Sequence, residues 1–196
     1  MNPIPEFFIA RFEQAEEILQ APDHRGFRHV VSIGETSYKP LGYAETGMRK
    51  LRLQFEDVVT KQHEDGLRDD NWLVSGRATL VHMKNLIEFL RPVEDKILFH
   101  CAAGISRSAA AACVFVAMKM GTGHERQVFD LVLAVKSSVW PNQHMLGLAD
   151  TLLGSRSRLL EESLKGPWPR DPHAASELIK EKEERAHDSE TTSKTG

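Results

Sequence analysis

The sequence predicts an α/β fold in which a central, mostly parallel sheet of four to five strands is flanked by helices. Two observations support this class. Short apolar runs of strand length alternate along the chain with longer stretches of helical period, and this alternation is typical of parallel sheets covered by helices. The composition allows a buried core, since 41% of the 196 residues are hydrophobic and 27% are charged.

Four apolar runs are predicted as strands. Residues 7–10 form the first candidate, and residues 29–33 form an apolar run that ends at Gly34. Residues 51–55 alternate apolar and polar side chains with the period of two that strands have. Residues 96–100 form a short apolar run that is consistent with a buried strand.

Five stretches with helical spacing of apolar residues are predicted as helices. Several end at a proline or a glycine, as at Pro22, Pro92 and Gly121. The stretch 106–120 is apolar nearly all round, which favours a helix buried in the centre of the fold. The predicted helices span residues 11–20, 75–90, 106–120, 124–136 and 141–160.

Residues 166–196 differ in composition from the rest of the chain. A breaker cluster at 166–169 precedes a stretch that is polar on every face and cannot bury much surface. We therefore expect a folded domain over residues 1–165 and a charged tail over residues 166–196 that is disordered or marginally helical. The polar stretch 60–71 is predicted to be a surface loop.

Composition and charge narrow the classes of function. The 25 basic and 28 acidic residues give a net charge of −3, so nucleic-acid binding is not expected. Two cysteines, Cys101 and Cys113, are too few for a disulfide scaffold or a four-cysteine zinc site and indicate a reducing compartment. The sequence begins without the pattern of an export signal, and the longest apolar stretch, 109–118, is far shorter than a membrane span. We therefore expect a cytoplasmic protein that does not bind membranes.

The segment His100–Ser108 lies between the predicted buried strand 96–100 and the predicted buried helix. A thiol, that of Cys101, follows the strand, a short turn comes next, and a helix begins. Such a turn directs backbone N–H groups inward and the helix N-terminus adds partial positive charge, so the segment can bind a tetrahedral oxyanion and stabilise a thiolate. Gly104 permits close approach of the backbone to the anion, and Arg107 offers a planar fork to two phosphate oxygens.

This segment resembles the His-Cys-x5-Arg-Ser signature of the cysteine-dependent protein tyrosine phosphatases. Its residues Ala-Gly-Ile-Ser-Arg-Ser are similar to those of the dual-specificity branch of that family. The resemblance extends from Val30 to Leu153. It implies that Cys101 attacks phosphorus and forms a cysteinyl-phosphate, while Arg107 stabilises the phosphate oxygens. No metal or cofactor is implied.

The resemblance also assigns supporting roles around the loop. Ser108 is expected to donate a hydrogen bond to the sulfur, and His100 to orient the loop. Asn142, at the start of the last core helix, is expected to support the loop, and Gln143 is a candidate for positioning the hydrolytic water. Backbone amides that are expected to bind the phosphate belong to Ala102, Ala103, Gly104, Ile105, Ser106 and Arg107.

The family requires a general acid, usually an aspartate on a loop after an earlier strand. Asp57 directly follows the predicted strand 51–55 and is preferred on that context. Its distance along the chain from Cys101 is longer than relatives commonly have, so Asp65 and Asp69 stay open as alternatives.

The expected function is therefore hydrolysis of phosphotyrosine in proteins or peptides, with phosphoserine and phosphothreonine as further substrates. The loop side chains of Ala102, Ala103 and Ile105 are uncharged, which disfavours polyphosphorylated lipids or inositols. Two alternatives stay open at this point: a module that binds phosphopeptides without turnover, and a phosphatase for a non-protein phosphate ester.

Overall fold

Four parallel strands form the sheet in this computed structural model, which describes residues 3–35, 47–57, 76–156 and 158–166. The strands are β1 (Phe7–Ala10), β2 (His29–Gly34), β3 (Arg49–Gln54) and β4 (Ile97–His100). Their order across the sheet is β1–β4–β2–β3, and every neighbouring pair is parallel. The predicted α/β class and parallel sheet are confirmed.

The burial of each strand follows from its place in this order. β2 and β4 lie in the middle, and all of their residues are buried, as expected for strands covered on both faces. β3 lies at the edge, where Arg49 and Lys50 are exposed and Leu53 is buried. Parallel pairing brings the carboxyl ends of all four strands to one edge of the sheet.

The described residues form six helices, which pack on the sheet or on one another. They are α1 (Phe12–Gln20), α2 (Leu80–Leu90), α3 (Arg107–Met120), α4 (Glu125–Val135), α5 (Gln143–Leu153) and α6 (Arg158–Leu164), with a short 3-10 turn at His24–Gly26. The first ten residues of α3 are all buried, which confirms the predicted central helix. Its Phe115 ring contacts Phe7 and Phe99, with ring centroids 6.3 and 5.8 Å apart. The opposite face of the sheet packs against α1 through a separate apolar cluster.

Two predicted helices have wrong boundaries for reasons that lie in their caps. The single helix predicted over 141–160 is two helices, because Gly154 adopts a left-handed conformation with φ of 69° and ends α5. The helix predicted from residue 75 begins at Leu80, because the Thr79 side chain accepts a hydrogen bond from the backbone N–H of His82 and caps α2.

Several sequence predictions fall outside the described residues. They concern the loop 60–71 with Asp65 and Asp69, and the tail 166–196 apart from Gly166. All elements described above lie within residues 1–165, which form one compact unit. Within the described ranges, no helix combines the length and the apolar character that crossing a bilayer requires.

Candidate active site

The loop from Cys101 to Ser106 connects β4 to α3 at the edge where the parallel strands end. Gly104 has a φ of +69°, and a Cβ placed there would lie 2.5 Å from the carbonyl carbon of Ala10 and from the backbone nitrogen of Arg11. The Phe12 N–H donates to the Ala102 carbonyl at 3.0 Å. The loop therefore packs backbone against backbone on the junction of β1 and α1, which only glycine permits at position 104.

The Cys101 thiol is buried in the centre of this loop, with 1% of the residue exposed. Its Sγ accepts a hydrogen bond from the Gly104 N–H at 3.2 Å and lies 3.2 Å from the Ser108 hydroxyl. Hydrogen-bond donors and a helix N-terminus beside sulfur stabilise a thiolate. Cys113, the other cysteine, is buried within α3, and burial raises its pKa well above the ordinary range. The two thiols are therefore chemically distinct, and neither is in a disulfide.

His100 is the last residue of β4, directly precedes Cys101 in the chain and is fully buried. Burial and, second, the nearby Arg52 charge lower its pKa from 6.5 to about 4, against partial opposition from an interaction with the Cys101 backbone. Its ring meets Phe12 edge-on, with centroids 6.3 Å apart. His100 is therefore a neutral imidazole at physiological pH that is buried against Phe12 where the loop begins.

Arg107 is the first residue of α3 and is buried. Its Nη1 donates to the Phe55 carbonyl at 2.8 Å, which fixes the guanidinium from one side. Its other edge faces two carboxylates, with Nε 3.5 Å from Asp57 Oδ2 and Nη2 3.6 Å from Glu35 Oε1. Among the described residues, Nε has no hydrogen-bond partner. The Nε–Nη2 edge can therefore bind two oxygens of one phosphate.

Asp57 follows β3 and lies beside the loop, where its Oδ1 accepts two hydrogen bonds. The Ser106 hydroxyl donates at 2.7 Å and the Asn142 side-chain amide donates at 2.8 Å. Asn142 is itself held in place, because its Oδ1 accepts from the Met145 N–H at 3.0 Å and caps α5. The structure thus brings Asp57 to Arg107.

The segment before α5 supports the loop through its backbone. The Trp140 N–H donates to the Ile105 carbonyl at 2.9 Å, and the Asn142 N–H donates to the Ser106 carbonyl at 3.2 Å. Gln143 is the first residue of α5 and follows Asn142 at the same edge of the fold. The loop is therefore braced from two sides, by the β1–α1 junction and by this segment.

Two side chains at the site, those of Glu35 and Ser106, were not predicted from the sequence to contact Arg107 and Asp57. Glu35 follows β2, and β2 is adjacent to β4 in the sheet, so strand order brings its carboxylate to Arg107. A signal existed for Glu35, since it directly follows the strand predicted to end at Gly34. The sequence predicts a role for the backbone amide of Ser106, and nothing in the local sequence indicates that its hydroxyl contacts Asp57.

Comparison with known proteins gives one family and a set of similar folds. The model of the family described as "Dual specificity phosphatase, catalytic domain" matches residues 8–151. No curated protein sequence matches the chain.

Three solved structures illustrate the likeness of fold. DUSP15 is 20% identical with a TM-score of 0.51, and the match covers 87% of this chain and 98% of that one. The human tyrosine phosphatase-like serine/threonine/tyrosine-interacting protein is 19% identical with a TM-score of 0.55, with coverage of 74% and 89%. Human DUSP28 is 16% identical with a TM-score of 0.52, with coverage of 78% and 94%.

Proposed function

This chain belongs to the dual specificity phosphatase family, and from that premise we propose that it is a protein phosphatase that works through a cysteinyl-phosphate. Phosphotyrosine is the proposed substrate, with phosphoserine and phosphothreonine as further ones. The observation that carries the proposal is the convergence of Cys101, Arg107 and Asp57 on one loop that ends at a helix N-terminus.

In the proposed first step, the Cys101 thiolate attacks phosphorus while the bond from phosphorus to the ester oxygen breaks. The Nε–Nη2 edge of Arg107 and the loop amides hold the equatorial oxygens, and Asp57 gives a proton to the leaving oxygen. In the second step, water attacks phosphorus and gives its proton to Asp57. The bond to sulfur breaks, and the thiolate of Cys101 is regenerated beside the Ser108 hydroxyl and the Gly104 N–H, both 3.2 Å from Sγ.

The charges around the loop favour a substrate with one phosphate group. The side chains of Ala102, Ala103 and Ile105 add no positive charge, and the carboxylates of Asp57 and Glu35 both face Arg107. A second phosphate would therefore meet like charge rather than a basic partner at this edge. This supports a singly phosphorylated side chain over a polyphosphorylated lipid or inositol.

Hydrolysis of p-nitrophenyl phosphate by the full chain under reducing conditions tests the proposal. We expect Cys101→Ser to lose turnover by about 1,000-fold or more, because the hydroxyl replaces the nucleophile. The matched control is Cys113→Ala, which removes the other thiol from the body of α3 and should keep turnover. Acid-quenched wild-type protein should carry phosphate on the peptide that contains Cys101.

Wild type and Cys101→Ser also distinguish a phosphatase from a module that only binds phosphopeptides. Phosphotyrosine, phosphoserine and phosphothreonine versions of one peptide should release phosphate with wild type and bind without release to Cys101→Ser. Wild type that binds the phosphopeptides but hydrolyses neither them nor the aryl phosphate would be a binding module instead. Equal turnover by wild type and Cys101→Ser would exclude the cysteine mechanism.

A further inference from the structure

We propose that Ser106 and Asn142 form a clamp on Oδ1 of Asp57, so that Oδ2 carries the proton that Asp57 delivers to the leaving oxygen. This inference rests on the proposed phosphatase function. It assigns to the Ser106 side chain a positioning role for the acid, in addition to the amide that the loop presents to phosphate. The same geometry gives Asn142 a second role beyond support of the loop.

The two oxygens of the Asp57 carboxylate lie in different surroundings. Oδ1 accepts hydrogen bonds from the Ser106 hydroxyl at 2.7 Å and from the Asn142 amide at 2.8 Å. Oδ2 lies 3.5 Å from Nε of Arg107, on the guanidinium edge that is proposed to bind phosphate. Because a carboxylate oxygen has two lone pairs in its plane, two donors leave Oδ1 no site for a proton. The proton of the acid form therefore belongs on Oδ2.

Both donors are fixed by contacts of their own. The Ser106 carbonyl accepts from the Asn142 N–H at 3.2 Å and from the Ala110 N–H at 2.9 Å, which ties the residue to α3 and to the segment before α5. The Asn142 side-chain oxygen caps α5 through the Met145 N–H at 3.0 Å, so its NH₂ group must point at Asp57. Asn142 is 2% exposed, and water does not compete for its amide.

The clamp serves both halves of the proton transfer. As the bond from phosphorus to the ester oxygen breaks, the electron pair goes to that oxygen, which takes the proton from Oδ2 while the bond from sulfur to phosphorus forms. The carboxylate that results keeps both hydrogen bonds on Oδ1, and hydrogen bonds to the charged form stabilise it. Rotation of the carboxyl group, which would turn the proton away from the substrate, is prevented.

Turnover of two aryl phosphates with different leaving groups tests the clamp. A dinitrophenolate leaves without a proton, whereas the phenolate of phenyl phosphate requires one. We expect Ser106→Ala to lose about ten-fold more kcat on phenyl phosphate than on dinitrophenyl phosphate, and Asp57→Ala to show a larger loss of the same pattern. Ser106→Thr, which keeps the hydroxyl, should restore the wild-type ratio. The matched control Ser137→Ala, at an exposed position after α4, should leave both rates unchanged.

The ratio of the two rates makes the test independent of how much protein is folded, because both are measured on one preparation. Asn142→Ala, which removes the second donor, should shift the ratio in the same direction. Equal losses on both substrates in Ser106→Ala and Asn142→Ala would overturn the clamp, because a general loop defect slows both reactions alike. A wild type without Cys101-dependent turnover would instead overturn the proposed function itself.

Discussion

Acidification should destabilise this fold through His100, the buried residue that directly precedes the loop. Burial and the Arg52 charge lower the pKa of His100 to about 4 in the folded state, whereas the unfolded chain has the ordinary value of 6.5. Between these values the unfolded state binds a proton that the folded state does not, so stability falls as the pH is lowered from 6.5 to 4. At about 1.4 kcal/mol per pH unit, this costs about 2 kcal/mol at pH 5 and about 3 kcal/mol below pH 4.

The assay is the free energy of unfolding in urea between pH 4 and pH 8, for wild type and for His100→Asn. The pKa values of His29 and His82 are also lowered by burial, so the difference between the two proteins isolates the share of His100. We expect the variant to lack about 3 kcal/mol of the wild-type pH dependence. A ring signal of His100 in the wild-type NMR spectrum that titrates near pH 6.5 would refute the reasoning without any variant.

Two further predictions concern a turn and a cap. Gly104→Ala places a Cβ 2.5 Å from the Ala10 carbonyl carbon and should lower turnover about 100-fold. Gly121 also has a positive φ, but among the described residues beyond its chain neighbours no atom lies within 4 Å of a Cβ placed there. Gly121→Ala should therefore lower the free energy of unfolding in urea by about 1–2 kcal/mol and keep turnover. Asp150→Asn should destabilise the fold by about 2–3 kcal/mol at unchanged activity, because the buried carboxylate accepts the N–H groups that begin α6. The exposed Asp130→Asn, measured in the same urea titration, should cost well under about 1 kcal/mol, and equal effects of Asp150→Asn and Asp130→Asn would contradict the cap.

The elements that sequence predicts well are those whose environment is uniform. The segment 106–120 is apolar nearly all round and proved to be the buried helix Arg107–Met120, because a helix surrounded by protein has no polar face to keep. The prediction of one helix over 141–160 is wrong because a glycine cap and a side-chain cap interrupt it. Asp150 accepts hydrogen bonds from the backbone of Leu159 and Leu160, so the chain restarts a helix that Gly154 had ended.

The same distinction applies to the site. Cys101 and Arg107 belong to one continuous segment, so their proximity follows from a strand, a turn and a helix in succession. Asp57 could be proposed because it follows a strand, and parallel strands bring their carboxyl ends to one edge. Glu35 and the hydroxyl of Ser106 depend on which strands are neighbours and on where a side chain points. Neither property can be derived from the local pattern of apolar and polar residues.

The charged side chains at the loop bear on how the proposed reaction would bind an anionic substrate. Arg107 faces the carboxylates of Asp57 and Glu35, and in the proposed mechanism the attacking sulfur of Cys101 brings a further negative charge to the same loop. Since a phosphate monoester is itself anionic, these carboxylates oppose its binding, and the proposed first step, in which Asp57 carries a proton, removes one of the opposing charges. Glu35 is 39% exposed, so solvent screens its charge in part. In the proposed mechanism the remaining positive field comes from the loop amides and the N-terminus of α3, so a net charge of −3 over the whole chain does not exclude an anionic substrate.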